Sequence, residues 1–510
     1  MRTKSSRYFI YSGFIYLIIW LGSALYRTFT SSGFYSPITF LEIEVAIFGF
    51  ISMIIFGMSY HLIPFFSGRM LISENGVYLH LFIAHLGFAS LVPGLFIQVN
   101  PAEKMFPYIW TVGVFIYVVN IVATLLKEKT FYFSGNVTVT LSKGENISGL
   151  NPGNPKLNKI DKIATLYTIF SVIYLIGGSV LFAGDFVPLP VIIHLFTTGF
   201  IMLMVLGSAY HLIPRFMNVT PSLTVVGTGL AGVIAPALFG ISLMGFTDKS
   251  IFIAGAILEF FAVAVLALSI IYMTLKSRLR KTTHIYYLSS ATFMLIGLGL
   301  GVLFAVHYRY MVYVPVHAIL NLFGAVGFLI FGVSFDALFL YLSYGDKVKN
   351  IMSLILAFVS ISALITFITG YIYLNKTILQ SGMTLLFASG LLYGVGLVLS
   401  PGVIGMKKYD FYRPVEITPE MRVDDCIRQF PGTRALFESL GMCTMYKDGP
   451  PEKISFFARV HNYDINEFIK ELNIYRVMNY EDAKKRVPKK KLTGLTTDDI
   501  RKAFGGVKYD

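Results

Sequence analysis

The chain has 510 residues, 55% of them hydrophobic and only 14% charged, with 42 Lys and Arg against 28 Asp and Glu for a net charge of +14. Soluble domains carry about 25% charged residues, so a mean hydropathy of +0.68 excludes both a soluble globular fold and a disordered chain for most of this length. The positive excess is distributed as a membrane topology signal, so the partner surface is membrane lipid and no nucleic acid is expected.

Apolar runs long enough to cross about 30 Å of hydrocarbon are predicted at 8–27, 39–65, 76–98, 104–126, 163–184, 190–215, 222–245, 249–276, 284–307, 314–344, 350–375 and 380–406. The first follows "MRTKSSR" and is too long for a signal peptide, and it lacks a small-residue cleavage site. It therefore reads as a retained helix with the amino terminus inside. Basic residues follow every second span, at Arg69, from Lys127 to Lys162, at Arg215, from Lys276 to Lys281, at Lys347 and Lys349, and at Lys407 and Lys408. The intervening turns are nearly free of Lys and Arg, which places both termini in the cytoplasm of a multi-pass protein.

Span 2 closes in "GMSYHLIPFFSGR" (57–69) and span 6 in "GSAYHLIPRF" (207–216). Copies four spans apart share one orientation, so the membrane domain, 1–410, divides into units 1–130, 160–281 and 282–410 in a ring of pseudo-threefold symmetry. An inverted-repeat carrier would place its copies in opposite orientation. Span 10 is the expected third copy, but its ending has lost His-Leu-Ile-Pro. The polar stretch 127–162 reads as a loop whose Val/Thr alternation suits a short hairpin. The fold class is thus all-α, twelve transmembrane helices in three four-helix units. Beyond Lys408, charge and amphipathic spacing predict a small helical cytosolic domain over 415–475, then a basic, solvated tail over 476–510. Cys426 and Cys443 both lie there, as free thiols or a site and not as a structural disulfide.

Ionisable residues inside spans are costly in hydrocarbon and mark candidate sites. His194 opens span 6 and His211 ends it, about 25 Å apart along the axis, so they cannot bind one metal. His317 opens span 10 and His307 ends span 9 at the same level, while Glu44 occupies on span 2 the place that His194 has on span 6. His194 and His317, with His307 in reach, form one candidate site whose functional reading is coordination of haem iron by imidazoles from facing helices. Arg309, with Tyr308, Tyr310 and Tyr313, stands where haem propionates would need partners. The competing reading is a pair of interfacial histidines bonded to neighbouring carbonyls.

His61, His80, His85 and His211 lie towards the other membrane face. His80 and His85 are five residues apart, so at most one faces any given site. The two Tyr-His-Leu-Ile-Pro strings read as helix-ending elements, with Pro64 and Pro214 terminating or kinking the helix and His61 and His211 reaching the interface, in preference to a second metal site. Glu259 falls near mid-membrane on span 8, either on a proton path together with Glu44 or as a carboxyl bonded to a neighbouring helix. Asp336, low in span 10, reads as interfacial.

The string "HLFTTGFIMLMVLGSAYHLIPRF" resembles span 6 of haem-copper oxidase subunit I, above all of the nitric oxide reductases. "GFISMIIFGMSYHLIPFFSGR" and "HAILNLFGAVGF" are similar to helices of the related NnrS family of twelve-span haem proteins. The resemblance covers about 400 residues and implies haem b, with His194 and His317 as metal ligands and a prokaryotic cytoplasmic membrane as the location. It departs from the oxidases in three places: span 7 has no paired histidines, span 10 has one histidine where two are required, and span 2 has Glu44 and no histidine. Copper and a standard oxygen-reducing centre are therefore not expected.

"ITPEMRVDDCIRQFPGTRALFESLGM" resembles the small helical domain that opens the ScdA/Ric iron-centre repair proteins, which implies a redox or iron-contacting thiol at Cys443. By spacing, Cys426 is a core residue and His461 is exposed. Together these features read as a membrane haem protein that binds or reduces a diatomic such as nitric oxide, or passes electrons from a donor. The rivals are a proton-coupled secondary transporter, and a cofactor-poor sensor or scaffold for the cytosolic domain.

Overall fold

The structure, a computed structural model, describes residues 4–31, 39–67, 71–96, 104–127, 129–133, 137–141, 155–245, 248–279, 281–307, 312–338, 346–398, 417–440, 442, 449–450, 452–461, 463–476, 478, 480–487 and 508–509. Among them are twelve helices of membrane-spanning length and composition. They are α1 (Ser5–Thr30), α2 (Phe40–Pro64), α3 (Glu74–Leu95), α4 (Phe106–Leu126), α5 (Lys159–Ala183), α6 (Leu189–Met217), α7 (Leu223–Leu243), α8 (Lys249–Lys276), α9 (His284–Val306), α10 (Val314–Asp336), α11 (Lys347–Ile372) and α12 (Lys376–Leu397). All twelve anticipated spans are present. With no water in hydrocarbon to bond backbone groups, the helix is the form that lets apolar segments of this length cross.

Three helices make the interior. The apolar stretches of α2, α6 and α10 are 89%, 72% and 83% buried, against 28% for α5 and 33% for α9. The other nine surround them and turn apolar side chains outward, as Phe358, Val119 and Leu275 show. Each interior helix loosens into a π-helical stretch near its middle, at Val45–Ile51, Leu195–Met202 and Leu320–Gly327. The first of these lies against both of the others, and the Phe48 ring meets the Phe196 ring at 4.8 Å. Such stretches mark functional positions more often than chance would place them.

The threefold repeat is visible in packing. A Cβ at Gly49 would lie 2.8 Å from Tyr16, one at Gly199 would lie 2.6 Å from Tyr174, and one at Gly324 would lie 3.0 Å from Phe293. In each unit, then, a glycine on the second helix admits an aromatic ring from the first. Eight residues on, Gly57, Gly207 and Gly332 repeat the close approach, to Ser6, Ala164 and Tyr286. Small residues are what allow membrane helices to pack this closely.

The hairpin anticipated between α4 and α5 is present. Strands β1 (Lys129–Phe133) and β2 (Val137–Leu141) pair antiparallel, with Lys129 opposite Leu141, and β3 (Lys508–Tyr509) adds to β2. The small domain comprises α13 (Val423–Gln429), α14 (Thr433–Ser439), α15 (Ile454–Val460), α16 (Ile465–Tyr475) and α17 (Tyr480–Arg486). Its separate core includes Val423, Phe437, Phe457, Phe468 and Leu472. α17 falls in the stretch read as solvated tail. Its single buried residue, Ala483, and the bond from the Tyr480 hydroxyl to Glu438 (2.7 Å) seat it on the domain. One alanine among charges makes no amphipathic pattern, which is why this helix was not anticipated.

Candidate cofactor site between helices 6 and 10

His194 stands at the last α-helical position of α6 before its π-helical stretch. Its Nδ1 lies 2.7 Å from the carbonyl of Pro190, four residues earlier. His317 on α10 makes the corresponding bond across helices, with Nδ1 at 2.7 Å from the Gly297 carbonyl of α9. A carbonyl only accepts, so in both rings Nδ1 carries the proton and Nε2 keeps its lone pair. Neither Nε2 has a hydrogen-bond partner among the described residues.

The slot for His317 is cut into α9. Gly297 leaves room for Asn321, whose Oδ1 would lie 2.7 Å from any Cβ there, and Asn321 Nδ2 donates to the His317 carbonyl at 2.8 Å. One turn on, a Cβ at Gly301 would lie 3.0 Å from His317 Cε1. The imidazole thus fills the volume that two side chains on α9 would otherwise take. The motif "GLGLG" (297–301) was the available sign of this slot; Asn321 could be found only from contacts.

The glycine register shows how each ring is turned. Five residues before Gly49, Gly199 and Gly324 stand Glu44, His194 and Ile319. His317 is two residues earlier than strict symmetry would put it, a rotation of about 200° around a helix of 3.6 residues per turn. That offset turns it from the α11 side towards α9. His194 looks the opposite way, towards α7, where the Phe239 ring centre is 5.5 Å away; on the α9 side Phe304 is 5.4 Å from His317. His194 thus packs on the α7 side of α6, and His317 on the α9 side of α10. On α8, Glu259 lies on the buried stripe with Gly255, Ala262 and Val263, is 3% exposed, and has an Oε1 with no partner among the described residues. Glu44, also buried, belongs to α2.

Other sequence-derived candidates are placed elsewhere. His307 ends α9 in extended backbone and is exposed, six residues or about 9 Å along the axis beyond Gly301. Arg309, Tyr308, Tyr310 and Cys443 lie outside the described residues, and Tyr313 sits just before α10.

At the opposite end of the bundle the histidines are taken up by protein partners. His80 Nδ1 is 3.1 Å from the Tyr60 hydroxyl, and His85 bonds Ser12 (3.0 Å) and Tyr16 (2.7 Å). His211 bonds Asp161 at 2.7 Å beside the Arg215–Asp161 pair at 2.8 Å. Among the described residues no three His, Cys, Asp or Glu side chains converge as a metal site. Pro64 and Pro214 do not end their helices: the backbone runs on to Ser67 and Met217, and Asn218, at φ 53°, makes the stop after α6.

Asp336, the last residue of α10, is 4% exposed. It accepts from Lys281 Nζ (2.9 Å), the Tyr287 hydroxyl (3.0 Å) and Thr283 (3.2 Å). It stands four residues after Gly332, as His61 and His211 stand four after Gly57 and Gly207. The third copy of the repeated ending is therefore present, with carboxylate in place of imidazole. In the small domain Cys426 is fully buried and its thiol is pushed up to about 12. His461 is not exposed as its position suggested: it stacks on Phe457 at 4.2 Å, and burial lowers it to about 4.

No family model matches the chain, and no curated protein matches it. Among solved structures, a heme-copper terminal oxidase dimer studied by cryo-EM is similar at 12% identity and a TM-score of 0.45, with 94% of this chain and 98% of that chain covered. A likeness at that level transfers no residue role.

Proposed function

We propose that this protein is a membrane haem protein of oxidase-like arrangement, in which His194 and His317 supply imidazoles to haem b. The supporting observation is the matched state of the two rings: each Nδ1–H is tied to a carbonyl, and each Nε2 lone pair is unused. Ligating histidines are held in this way, because the outer hydrogen bond fixes the tautomer and raises the basicity of the ligand atom. The donor set therefore fits haem iron. The haem, when bound, supplies the redox and gas-binding chemistry.

The chain's part is to orient the two rings and to keep water from them with Phe239 and Phe304. The resulting activity is binding or reduction of a diatomic such as nitric oxide, or electron transfer. The test is the optical spectrum of the purified protein, oxidised and reduced, with and without nitric oxide, for wild type, His194→Ala and His317→Ala. Loss of the Soret band in either variant is expected; a full wild-type spectrum in both rejects the ligand assignment. A colourless wild-type protein after expression with ample haem rejects the reading and favours the proton-coupled carrier, for which the unpartnered Glu259 is the supporting feature.

A further inference from the structure

The small domain does not hang free of the bundle. Phe456 of α15 is only 8% exposed and belongs to the core of the membrane domain and not to that of its own, and Val460 packs beside it. Its ring stacks on Phe216 near the end of α6, with centres 5.9 Å apart and planes at 22°. Lys281, just before α9, approaches the other side of that contact, with Nζ 6.0 Å from the Phe216 ring centre, and ion-pairs with Asp336 at the end of α10. Arg459, between the two docked residues on α15, lies within range of the Asp336 charge, and its Nε is buried with no hydrogen-bond partner among the described residues. An aromatic plug on one short helix thus meets the end of α6, and a guanidinium on the same helix lies within range of the charge at the end of α10.

We propose that the 417–487 domain is a reversible clamp on the membrane domain, plugged by Phe456 against Phe216 and latched by attraction between Arg459 and Asp336. A seven-residue helix offering one ring and one cation is a small contact. It is held intramolecularly, where the covalent link supplies a high effective concentration. Asp336 already accepts three bonds from its own domain, so Arg459 adds attraction across the contact and not a fixed bond, and burial of both groups shields that attraction from salt. Anything that shifts the ends of α6 and α10 changes the fit of the plug, and by linkage docking changes the arrangement of those helices by the same free energy. The connection to the two imidazoles rests on the haem reading; the clamp does not.

The test uses the full chain in liposomes, with photoactivatable benzoylphenylalanine at Phe456 and, as a control, at Lys470, which is exposed on α16. Crosslinks from position 456 to peptides around Phe216 and Lys281 are expected, with none from position 470. Arg459→Gln should lower that yield at least threefold. Crosslinks confined to the small domain, or a yield unchanged in Arg459→Gln, overturn the clamp. A colourless protein that crosslinks as expected overturns the haem reading alone.

Discussion

Gly301 offers the sharpest test of how the site is built. A methyl group there would meet His317 Cε1 at 3.0 Å, so ordinary contact at 3.4 Å requires the ring to withdraw by about 0.4 Å. The ring cannot slide freely, because Nδ1 is held at 2.7 Å by Gly297 and the chain behind it by Asn321. A displacement of that size reaches the tolerance of about 0.5 Å within which a ligand set functions. In Gly301→Ala the overpacking cost of about 1–3 kcal/mol is partly offset by about 1 kcal/mol of helix propensity, so the protein should still insert and fold. Gly301→Val adds two further methyls and should displace the imidazole altogether. Haem content of purified protein, by the alkaline pyridine spectrum, and the position of the Soret band are the readouts. Reduced haem in the alanine variant and near-complete loss in the valine variant are expected. Gly299→Ala is the control, since its Cβ would meet only Phe260 at 3.9 Å. Full haem content with an unshifted spectrum in Gly301→Val would refute the reasoning.

Three further outcomes follow from the geometry. His211→Ala should keep the wild-type haem spectrum, since that ring is engaged by Asp161 at the far end of α6; a lost Soret band would show that the inner histidines ligate. Glu42→Gln breaks an ion pair to Arg27 (2.9 Å) whose carboxylate is fully buried, and should cost about 2–3 kcal/mol, the low end for such a pair because Arg27 is a third exposed. It should lower the thermal midpoint without altering the spectrum. His461, held near 4 when folded against about 6.5 unfolded, takes up a proton more readily in the unfolded chain. Its contribution is therefore complete above pH 6.5 and is lost as pH falls towards 4, reaching up to about 2 kcal/mol of lost stability at pH 5. Hydrogen exchange over α15 and α16 in the full chain should accelerate between pH 6.5 and 5, after correction for the intrinsic rate, and His461→Gln should flatten that response.

Topology was legible from one dimension, because hydrocarbon imposes a length and a polarity on every crossing. The twelve spans and the parallel repeat of "YHLIP" needed no coordinates, and the hairpin showed in its alternating Val and Thr. Charge buried in an apolar chain is also conspicuous, so His194, His317 and Glu259 stood out at once. What those side chains face was not readable, since the azimuth of a membrane helix depends on which neighbours pack against it. The two-residue offset that turns His317 towards α9 became visible only when Gly49, Gly199 and Gly324 had been seated on Tyr16, Tyr174 and Phe293. The role of Asp336 as the third copy of a histidine ending was hidden by its different chemistry. The docking of Phe456 was hidden because an aromatic residue on an amphipathic helix looks the same whether it fills its own core or another's. Sequence determined which residues must leave water; contacts between segments far apart in the chain decided where each of them went, because close packing is a property of pairs and not of single strings.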